Sequence, residues 1–266
     1  MKKFLKKVLF RLAPDVAERW QNDVQQRHGR NLLIRLGLPE ITKRFVNAHG
    51  QDILSGPFKG MHYGQHATGS ALIPKLVGSY EEEIHKVIEQ IIVTPYQQVI
   101  DVGCADGYYA VGLALRMPSV RVIAFDTDKV ARDLCLLHAE QNQVAQRIEI
   151  KGSCDPPALE SLLTVRTLIL CDCEGYENIL LDPEKAPRLQ QTDILVELHT
   201  DLEMGEDHPL LRRFRKTHDL VLLATQERDP NAYSSLQVLT EPERRLAVSE
   251  FRNMTQYFAF LTVRPL

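Results

Sequence analysis

Acidic side chains and a histidine occupy three places in the sequence where an apolar run ends and a new pattern begins. The first is the turn Asp101-Val-Gly-Cys-Ala-Asp-Gly107, after the apolar run 98–102. The second is the block Asp172-Cys-Glu-Gly-Tyr-Glu177, and the third is Glu197-Leu-His199. Carboxylates bind cations and accept protons, and histidine exchanges protons near neutral pH. The three places together form a candidate site for chemistry on a small polar molecule.

The turn 101–107 has the composition of a nucleoside-binding loop. Its glycines at 103 and 107 allow the backbone to approach a ligand at the amino end of a helix. Asp126 ends the next apolar run, where a carboxylate can accept hydrogen bonds from ribose hydroxyls. Nicotinamide dinucleotides and S-adenosylmethionine both fit such a frame. A carboxylate at Asp106 would repel a pyrophosphate, whereas Asp101 or Asp106 can attract the ammonium of a methionine. The turn therefore favours S-adenosylmethionine.

Asp172, Glu197 and His199 are the predicted catalytic residues. Residues 197 and 199 face the same side of a regular strand, so both should point into the crevice beside Asp172. Methylation of a hydroxyl needs a group that takes up its proton. Either His199 acts as this base, or the three residues hold a divalent cation such as Mg²⁺ that lowers the hydroxyl pKa. Glu174 and Glu177 either join the chemistry or stabilise the start of a helix.

The elements that position these residues follow from hydrophobic periodicity. Apolar runs predict seven strands, at 98–102, 120–125, 148–151, 168–171, 194–198, 220–224 and 257–263. Helical patterns lie between them, at 108–116, 129–142, 158–163 and 209–216. Alternation of this kind predicts an α/β fold with a Rossmann-like, doubly wound, mainly parallel seven-stranded sheet. The last strand is expected to pair antiparallel.

Residues 1–95 are predicted to form an N-terminal helical extension, a substrate cap or an interface, ahead of a catalytic domain at 96–266. Residues 1–12 form a basic amphipathic pattern that either packs on the domain or a partner, or contacts a membrane surface weakly. The segment 55–69 contains four glycines and a proline, which predicts an exposed, mobile loop over the substrate. Its Tyr63, His62 and His66 either touch a polar substrate or are solvated.

The net charge, the cysteines and the lengths of the apolar runs indicate which partners and which location to expect. A net charge of -3 over 266 residues gives no general attraction to nucleic acid, so the expected partner is a small-molecule or carbohydrate acceptor. Five cysteines, an odd number, favour a reducing compartment, and no run approaches the roughly 18 apolar residues of a membrane span. We therefore expect a cytoplasmic protein, with membrane association limited to residues 1–12.

Two further local motifs have simple interpretations. Cys171 and Cys173 are interpreted as buried thiols, and the basic run 212–216 as a solvated face or a phosphate contact.

Two of these motifs carry a resemblance to a known family. Residues 99–114 resemble motif I of class I methyltransferases, and Asp126 matches their ribose-binding acidic position. The block 172–177 resembles the Asp-x-Glu-Gly-x-Glu hallmark of the FkbM-like branch. The resemblance implies S-adenosylmethionine-dependent O-methylation of a sugar or glycosylated small molecule. The cofactor-binding residues that it implies are Asp101, Gly103, Cys104, Ala105, Asp106, Gly107, Asp126, Ser153 and Cys154.

Two other functions stay open at this point. One is a nicotinamide-dependent oxidoreductase, because the sheet and turn can also serve a dinucleotide. The other is a non-catalytic binding module that keeps the methyltransferase fold. The sequence does not determine the oligomeric state or the identity of the acceptor, because the fold alone does not specify function.

Overall fold

The structure is a computed structural model that describes residues 34–64, 71–199, 202–252 and 254–265. Its strands are β1 (Gln98–Val102), β2 (Arg121–Phe125), β3 (Ile148–Lys151), β4 (Thr167–Cys171), β5 (Asp193–Leu198), β6 (His218–Ala224) and β7 (Tyr257–Val263). They form one seven-stranded sheet in the order β3-β2-β1-β4-β5-β7-β6. The pairings are parallel except that β7 runs antiparallel to both β5 and β6. The predicted Rossmann-like fold, with its antiparallel last strand, is confirmed.

Helices within the described ranges cover the sheet. They are α1 (Leu38–His49), α2 (Leu72–Val77), α3 (His85–Val93), α4 (Tyr108–Arg116), α5 (Lys129–Gln141), α6 (Pro156–Leu162), α7 (Glu177–Leu180), α8 (Pro209–Arg212) and α9 (Glu241–Val248). Short 3₁₀ turns add Glu82–Ile84, Ala145–Arg147, Pro187–Gln191, Leu202–Asp207, Pro230–Ala232 and Ser234–Val238. Asp128 and Asp155 cap the amino ends of α5 and α6 through their side chains, which explains where these helices begin.

The order of the strands places a crevice beside β1. The chain passes from β1 to β2 on one side, and β4 pairs with the other side of β1. Ligands of open α/β sheets bind at such a switch point, outside the carboxyl ends of the strands. Both β1 and β4 are buried along their whole length, and this is the reason that they read as continuous apolar runs.

The core has two layers, one on each face of the sheet. Side chains alternate along a strand, so Val99 of β1 packs in one hydrophobic cluster and Ile100 packs in the other. The first cluster also contains Phe45 of α1 and Phe58, which lies between α1 and α2. The described part of the N-terminal extension therefore packs on the same face as α4 and α5. A division of the chain at residue 95 stays a prediction.

The loop that begins at Ser55 differs from its prediction as an exposed, mobile loop. Phe58, Met61 and Tyr63 are almost fully buried, and the Phe58 ring packs edge-on against Tyr108. Glycines permit this path because Gly56 and Gly60 adopt positive φ. The large apolar side chains decide its position, since their burial outweighs the glycine signal. Residues 65–69 of this segment, including His66, lie outside the described residues.

Helix α9 was not predicted, although the sequence contains its start signal. Thr240 and Glu243 form a reciprocal capping box, and Pro242 occupies the first turn. A Thr-x-x-Glu pattern followed by apolar residues is a standard sign of a helix start. Arg44 of α1 forms an ion pair with Glu243, so α9 packs against the N-terminal extension.

Two predictions about membranes have different outcomes. The basic helix predicted for residues 1–12 lies outside the described residues. Among the helices that the structure does describe, none is long and apolar enough to cross a membrane.

A substitution at Gly112 in α4 tests whether the Phe58 ring of the loop packs against this helix. A Cβ at this position would lie 2.5 Å from Cγ of the buried Phe58 ring. We expect Gly112→Ala to lower the free energy of unfolding by about 1–3 kcal/mol, because the ring must move in a close-packed core. The matched control is Gly152→Ala, where a Cβ meets nothing within 4 Å. In urea titrations, equal stability of the two variants would contradict this packing.

Candidate active site

A cavity of about 610 Å³ opens at the carboxyl ends of β1, β2, β4 and β5. Its lining includes eight of the nine predicted cofactor-binding residues, namely Asp101, Gly103, Cys104, Ala105, Asp106, Asp126, Ser153 and Cys154. The ninth, Gly107, lies just behind them as the residue that precedes α4. The predicted catalytic residues Asp172 and Glu197 also line the cavity. The turn after β1 and the end of β4 therefore meet in one site.

Close backbone contact explains why the turn needs glycine. Gly103 has a φ of 87°, and a Cβ there would lie 1.5 Å from the carbonyl oxygen of Asp172. Gly107 has a φ of 86°, and its Cβ would lie 2.7 Å from Sγ of Cys135. No other residue fits either position without a shift of the backbone or helix α5. The two glycines thus allow the turn to lie directly against β4.

Asp126 is held in position by the turn itself. Its Oδ2 accepts a hydrogen bond of 2.9 Å from the N–H of Ala105, and its Oδ1 accepts one of 2.8 Å from Asp128. Ala105 has a φ of 45°, a conformation that glycine adopts more readily. The hydrogen bond to Asp126 compensates for this strain and fixes the carboxylate at the end of β2.

Asp101 offers a buried acceptor to a ligand. It is 4% exposed, and its Oδ2 has no hydrogen-bond partner among the described residues. Burial, followed by the nearby charge of Asp126, raises the pKa of Asp101 to about 7. A buried oxygen without a partner is unfavourable, so this geometry favours a ligand that brings an N–H or a positive charge.

Asp106 is engaged within the protein. Its Oδ1 accepts hydrogen bonds from the hydroxyl of Tyr63 and, at 3.1 Å, from Nζ of Lys75. The sequence predicted that Asp106 could attract the ammonium of a methionine. In the structure Lys75 balances its charge, and Asp101 has the orphaned oxygen. Tyr63, predicted to lie in a mobile loop, is instead part of this buried group.

His199 lies among three carboxylates. Its Nε2 is 3.4 Å from Oδ1 of Asp172 and 3.6 Å from Oε2 of Glu174, and its Nδ1 is 3.0 Å from Oε1 of Glu177. Glu177 also accepts hydrogen bonds from the backbone N–H groups of Cys173 and Gly175. Glu177 therefore both closes the turn after β4 and orients the imidazole.

Glu197 is separate from this group. It accepts a hydrogen bond of 2.6 Å from Nη1 of Arg252 instead of facing His199 as predicted. The physical reason is that β5 ends at Leu198, so the alternation of a strand no longer applies to residue 199. The set of possible cation ligands within the described residues is accordingly Asp172, Glu174 and His199 rather than Asp172, Glu197 and His199.

The charges in the site shift its pKa values. Burial lowers the pKa of His199, but the carboxylate of Glu177, 3.0 Å from Nδ1, and the charge of Asp172 outweigh this and raise it to about 9. Partial burial at the base of the cavity and the charges of Glu197 and Glu81 raise the pKa of Asp172 above its usual range. The side chain of Asp172 is 49% exposed, and this exposed part lies at the cavity. At neutral pH, His199 is therefore cationic beside a carboxylate of increased basicity.

Several residues of the site had not been identified from the sequence. Glu81 accepts a hydrogen bond of 2.6 Å from Nη2 of Arg252 and another from the hydroxyl of Tyr109. Burial and the charge of Glu197 raise the pKa of Glu81 to about 7. Arg252 thus bridges Glu81, which lies 171 residues earlier in the chain, and Glu197, which lies 55 residues earlier. No local pattern connects positions so far apart.

The other side chains that the sequence suggested for a site contact neighbouring parts of the protein. All five cysteines are free thiols, and Sγ of Cys171 and Sγ of Cys173 lie 3.5 Å apart. In the basic run 212–216, Arg213 donates to backbone carbonyls of Asn178 and Leu181. His62 contacts Asp52 at 2.8 Å. None of these contacts requires a substrate.

Comparison with known families supports the methyltransferase assignment in its broad form. A family model described as ribosomal protein L11 methyltransferase (PrmA) matches residues 64–171, which is less than half of the chain. The match contains the turn 101–107 and supports the class I S-adenosylmethionine-dependent methyltransferases as a group. It ends just before the block 172–177, so the FkbM-like branch stays a prediction. No curated protein matches the chain.

Solved structures of methyltransferases are similar at low identity. The O-methyltransferase TomG from Streptomyces achromogenes is 13% identical, with 70% of this chain and 81% of that chain covered and a TM-score of 0.42. An O-methyltransferase from Bacillus cereus is 16% identical, with coverages of 65% and 78% and a TM-score of 0.42. A precorrin-6y C5,15-methyltransferase from Geobacter metallireducens is 12% identical, with coverages of 66% and 88% and a TM-score of 0.45. This likeness does not bear on the acceptor.

The pKa of His199 tests the electrostatics of the site. Glu177→Gln should lower this pKa from about 9 toward its ordinary value of 6.5, because the nearest buried charge is removed. Glu174→Gln is the matched control, since Glu174 is 89% exposed and more distant, and should change the pKa less. NMR titration of the imidazole measures both. An equal shift in the two variants would contradict the assigned geometry.

The raised pKa of His199 also predicts that the free energy of unfolding depends on pH. The pKa of His199 is higher in the folded protein than its ordinary value of 6.5. Its protonation therefore stabilises the fold fully below pH 6.5, and the contribution is lost as the pH rises through about 9. Glu177→Gln should thus destabilise the protein more at pH 6 than at pH 10, as measured by urea unfolding.

Proposed function

We propose that this protein is an S-adenosylmethionine-dependent methyltransferase that transfers the methyl group to a hydroxyl of a sugar or glycosylated small molecule. The observation that carries the proposal is the cradle at the end of β1. Gly103 leaves no room for a Cβ, Asp101 presents a buried oxygen without a partner, and Asp126 is fixed at the end of β2. These three features suit the backbone, ammonium and ribose contacts of one nucleoside ligand.

The residues present fit S-adenosylmethionine better than a dinucleotide. Asp101 would accept from the ammonium of its methionine, Asp126 from the ribose hydroxyls, and Ser153 and Cys154 would lie against the adenine. Nine carboxylates line the cavity: Glu81, Asp101, Asp106, Asp126, Asp128, Asp155, Asp172, Glu174 and Glu197. A pyrophosphate would be repelled there, whereas a cationic ligand is attracted. This charge argues against the nicotinamide-dependent oxidoreductase.

Asp172 is the proposed proton acceptor. When bound, S-adenosylmethionine supplies a methyl group on a positively charged sulfur, ready for attack by an oxygen. Asp172 lies at the cavity with a raised pKa, so its carboxylate takes up the hydroxyl proton more readily than an ordinary one. His199, held by Glu177, keeps this carboxylate in place at 3.4 Å. His199 is therefore a positioning residue in this proposal, and its cationic form is the active one.

The charge of the cavity also favours certain acceptors. Carboxylates accept hydrogen bonds from hydroxyl groups and repel phosphates. Glu81 and Glu197 lie beside Asp172 at the same end of the site, as their mutual effects on pKa indicate. A neutral, hydroxyl-rich molecule such as a carbohydrate fits this surface. Exclusion of nucleic acids and a cytoplasmic location stay predictions.

Substitution of Asp172 separates catalysis from binding. Asp172→Asn keeps the backbone contact with Gly103 but removes the proton acceptor, so methyl transfer should fall by about 100-fold or more. Binding of S-adenosylmethionine should change little. The substrate for this assay is found by incubating the enzyme with isotope-labelled S-adenosylmethionine and a glycan, lipid and metabolite extract, followed by mass spectrometry.

The matched control for this experiment is Glu174→Gln, at an exposed neighbouring carboxylate. Its rate should stay close to that of the wild type. Unchanged transfer in Asp172→Asn would contradict the assigned role. Absence of labelled product from any extract would favour the non-catalytic binding module, and binding of a nicotinamide dinucleotide instead of S-adenosylmethionine would overturn the proposal.

A divalent cation is the alternative way to activate the hydroxyl. Ligand atoms of Asp172, Glu174 and His199 lie within 4.8 Å of one another. A metal binds the neutral imidazole, so a cation would have to displace the proton that the carboxylates around His199 favour. We therefore expect methyl transfer at pH 7 to be unaffected by dialysis against EDTA. A loss of rate that Mg²⁺ restores would show the cation mechanism instead.

A further inference from the structure

Lys75 of α2 is a buried lysine at the edge of the cofactor cavity. It is 3% exposed and lines the cavity. Its Nζ donates to the hydroxyl of Tyr63 at 2.6 Å and to Oδ1 of Asp106 at 3.1 Å. The same atom lies 5.0, 5.1 and 5.2 Å from the ring centroids of Tyr63, Tyr80 and Tyr108. Burial of an ammonium is unfavourable without partners, and the Tyr63 hydroxyl, the Asp106 carboxylate and the three ring faces supply such partners.

The charge of the cavity makes this lysine exceptional. Within the described ranges, Lys75 is the one lysine or arginine among the lining residues, against nine carboxylates. A negatively charged group of any ligand is repelled by most of that surface. Lys75 is therefore the place in the lining where a ligand carboxylate would be attracted.

The position of Lys75 adds a second favourable interaction. Asp106, to which it donates, lies next to Gly107, the residue that precedes α4. The amino end of a helix has a positive potential and free backbone N–H groups. An ammonium has three protons, and among the described residues Tyr63 and Asp106 accept two of them. The third proton can serve a ligand at the start of α4.

Lys75 and Asp101 complement the two charges of an amino acid. Asp101 offers a buried oxygen that suits an ammonium, and Lys75 offers an ammonium that suits a carboxylate. Asp101 begins the turn 101–107, Lys75 of α2 contacts Asp106 of the same turn, and both side chains line the cavity. We propose that Lys75 binds the methionine carboxylate of S-adenosylmethionine, so that the enzyme recognises the amino-acid end of the cofactor as a zwitterion. This inference rests on the proposed function.

Two ligands that differ only in the carboxylate test this role. One is S-adenosylhomocysteine, and the other is its decarboxylated analogue, in which hydrogen replaces the carboxylate. The wild-type protein should bind the first at least about tenfold more tightly, because a charge-assisted hydrogen bond is lost with the second. Isothermal titration calorimetry of the full chain gives both affinities, and their ratio is the measured quantity.

Paired variants separate this role from the stability of the fold. Lys75→Met alone would leave Asp106 buried without its cation, so it is combined with Asp106→Asn. In the double variant the ratio of affinities should fall to about threefold or less, since neither ligand meets a cation. The matched control is Asp106→Asn alone. It also breaks the buried ion pair but keeps the ammonium, which still has the Tyr63 hydroxyl and three ring faces as partners, so it should retain the preference of the wild type.

Each outcome decides between the two claims. If the wild type binds both ligands with equal affinity, this measurement alone overturns the role of Lys75. The proposed function is then unaffected. A wild-type ratio that persists in the double variant would overturn it as well, because a merely structural Lys75 does not discriminate ligands. If the wild type binds neither ligand, the proposed function fails and the role of Lys75 fails with it.

Discussion

The contact between Gly103 and the carbonyl oxygen of Asp172 is the constraint on which the rest of the site depends. A Cβ at Gly103 would lie 1.5 Å from that oxygen, so the turn after β1 reaches this position only with glycine. The parallel pairing of β1 with β4 brings the two strand ends together. As a result, the residues proposed to bind a nucleoside and the carboxylate proposed for catalysis share one cavity, and the proposed acceptor must lie where both can reach it.

Electrostatics explains the network around this cavity. Many carboxylates lie close together, and burial weakens the screening between them. Burial itself, followed by the charges of Asp126 and Glu197 respectively, raises the pKa values of Asp101 and Glu81 to about 7. Two cations keep the fold compatible with this charge: Lys75 pairs with Asp106, and Arg252 pairs with both Glu81 and Glu197. The N-terminal extension and the segment before β7 are thereby tied to the strand ends, so both contribute to the wall of the site.

The cluster at His199 shows how a strand end changes chemistry. Regular alternation would have placed His199 on the same side as Glu197. Because β5 ends one residue earlier, His199 turns toward the block that follows β4 and contacts Glu177 instead. The carboxylate of Glu177, 3.0 Å from Nδ1, then favours the protonated imidazole. In the proposed mechanism, His199 is therefore a cation that positions Asp172, and the carboxylate of Asp172 takes up the proton.

The sequence by itself determined the features that depend on neighbouring residues. Continuous apolar runs predicted the strands to within about two residues, the glycines at 103 and 107 predicted the turn, and Asp126 was placed at the end of β2. The capping box at Thr240 carried the signal for α9 as well. Only the tertiary structure decided that Lys75 and Arg252 reach the site, and that Glu174 takes the place expected for Glu197. These positions are joined by long-range packing and by ion pairs across the fold, and neither leaves a periodic pattern in the chain.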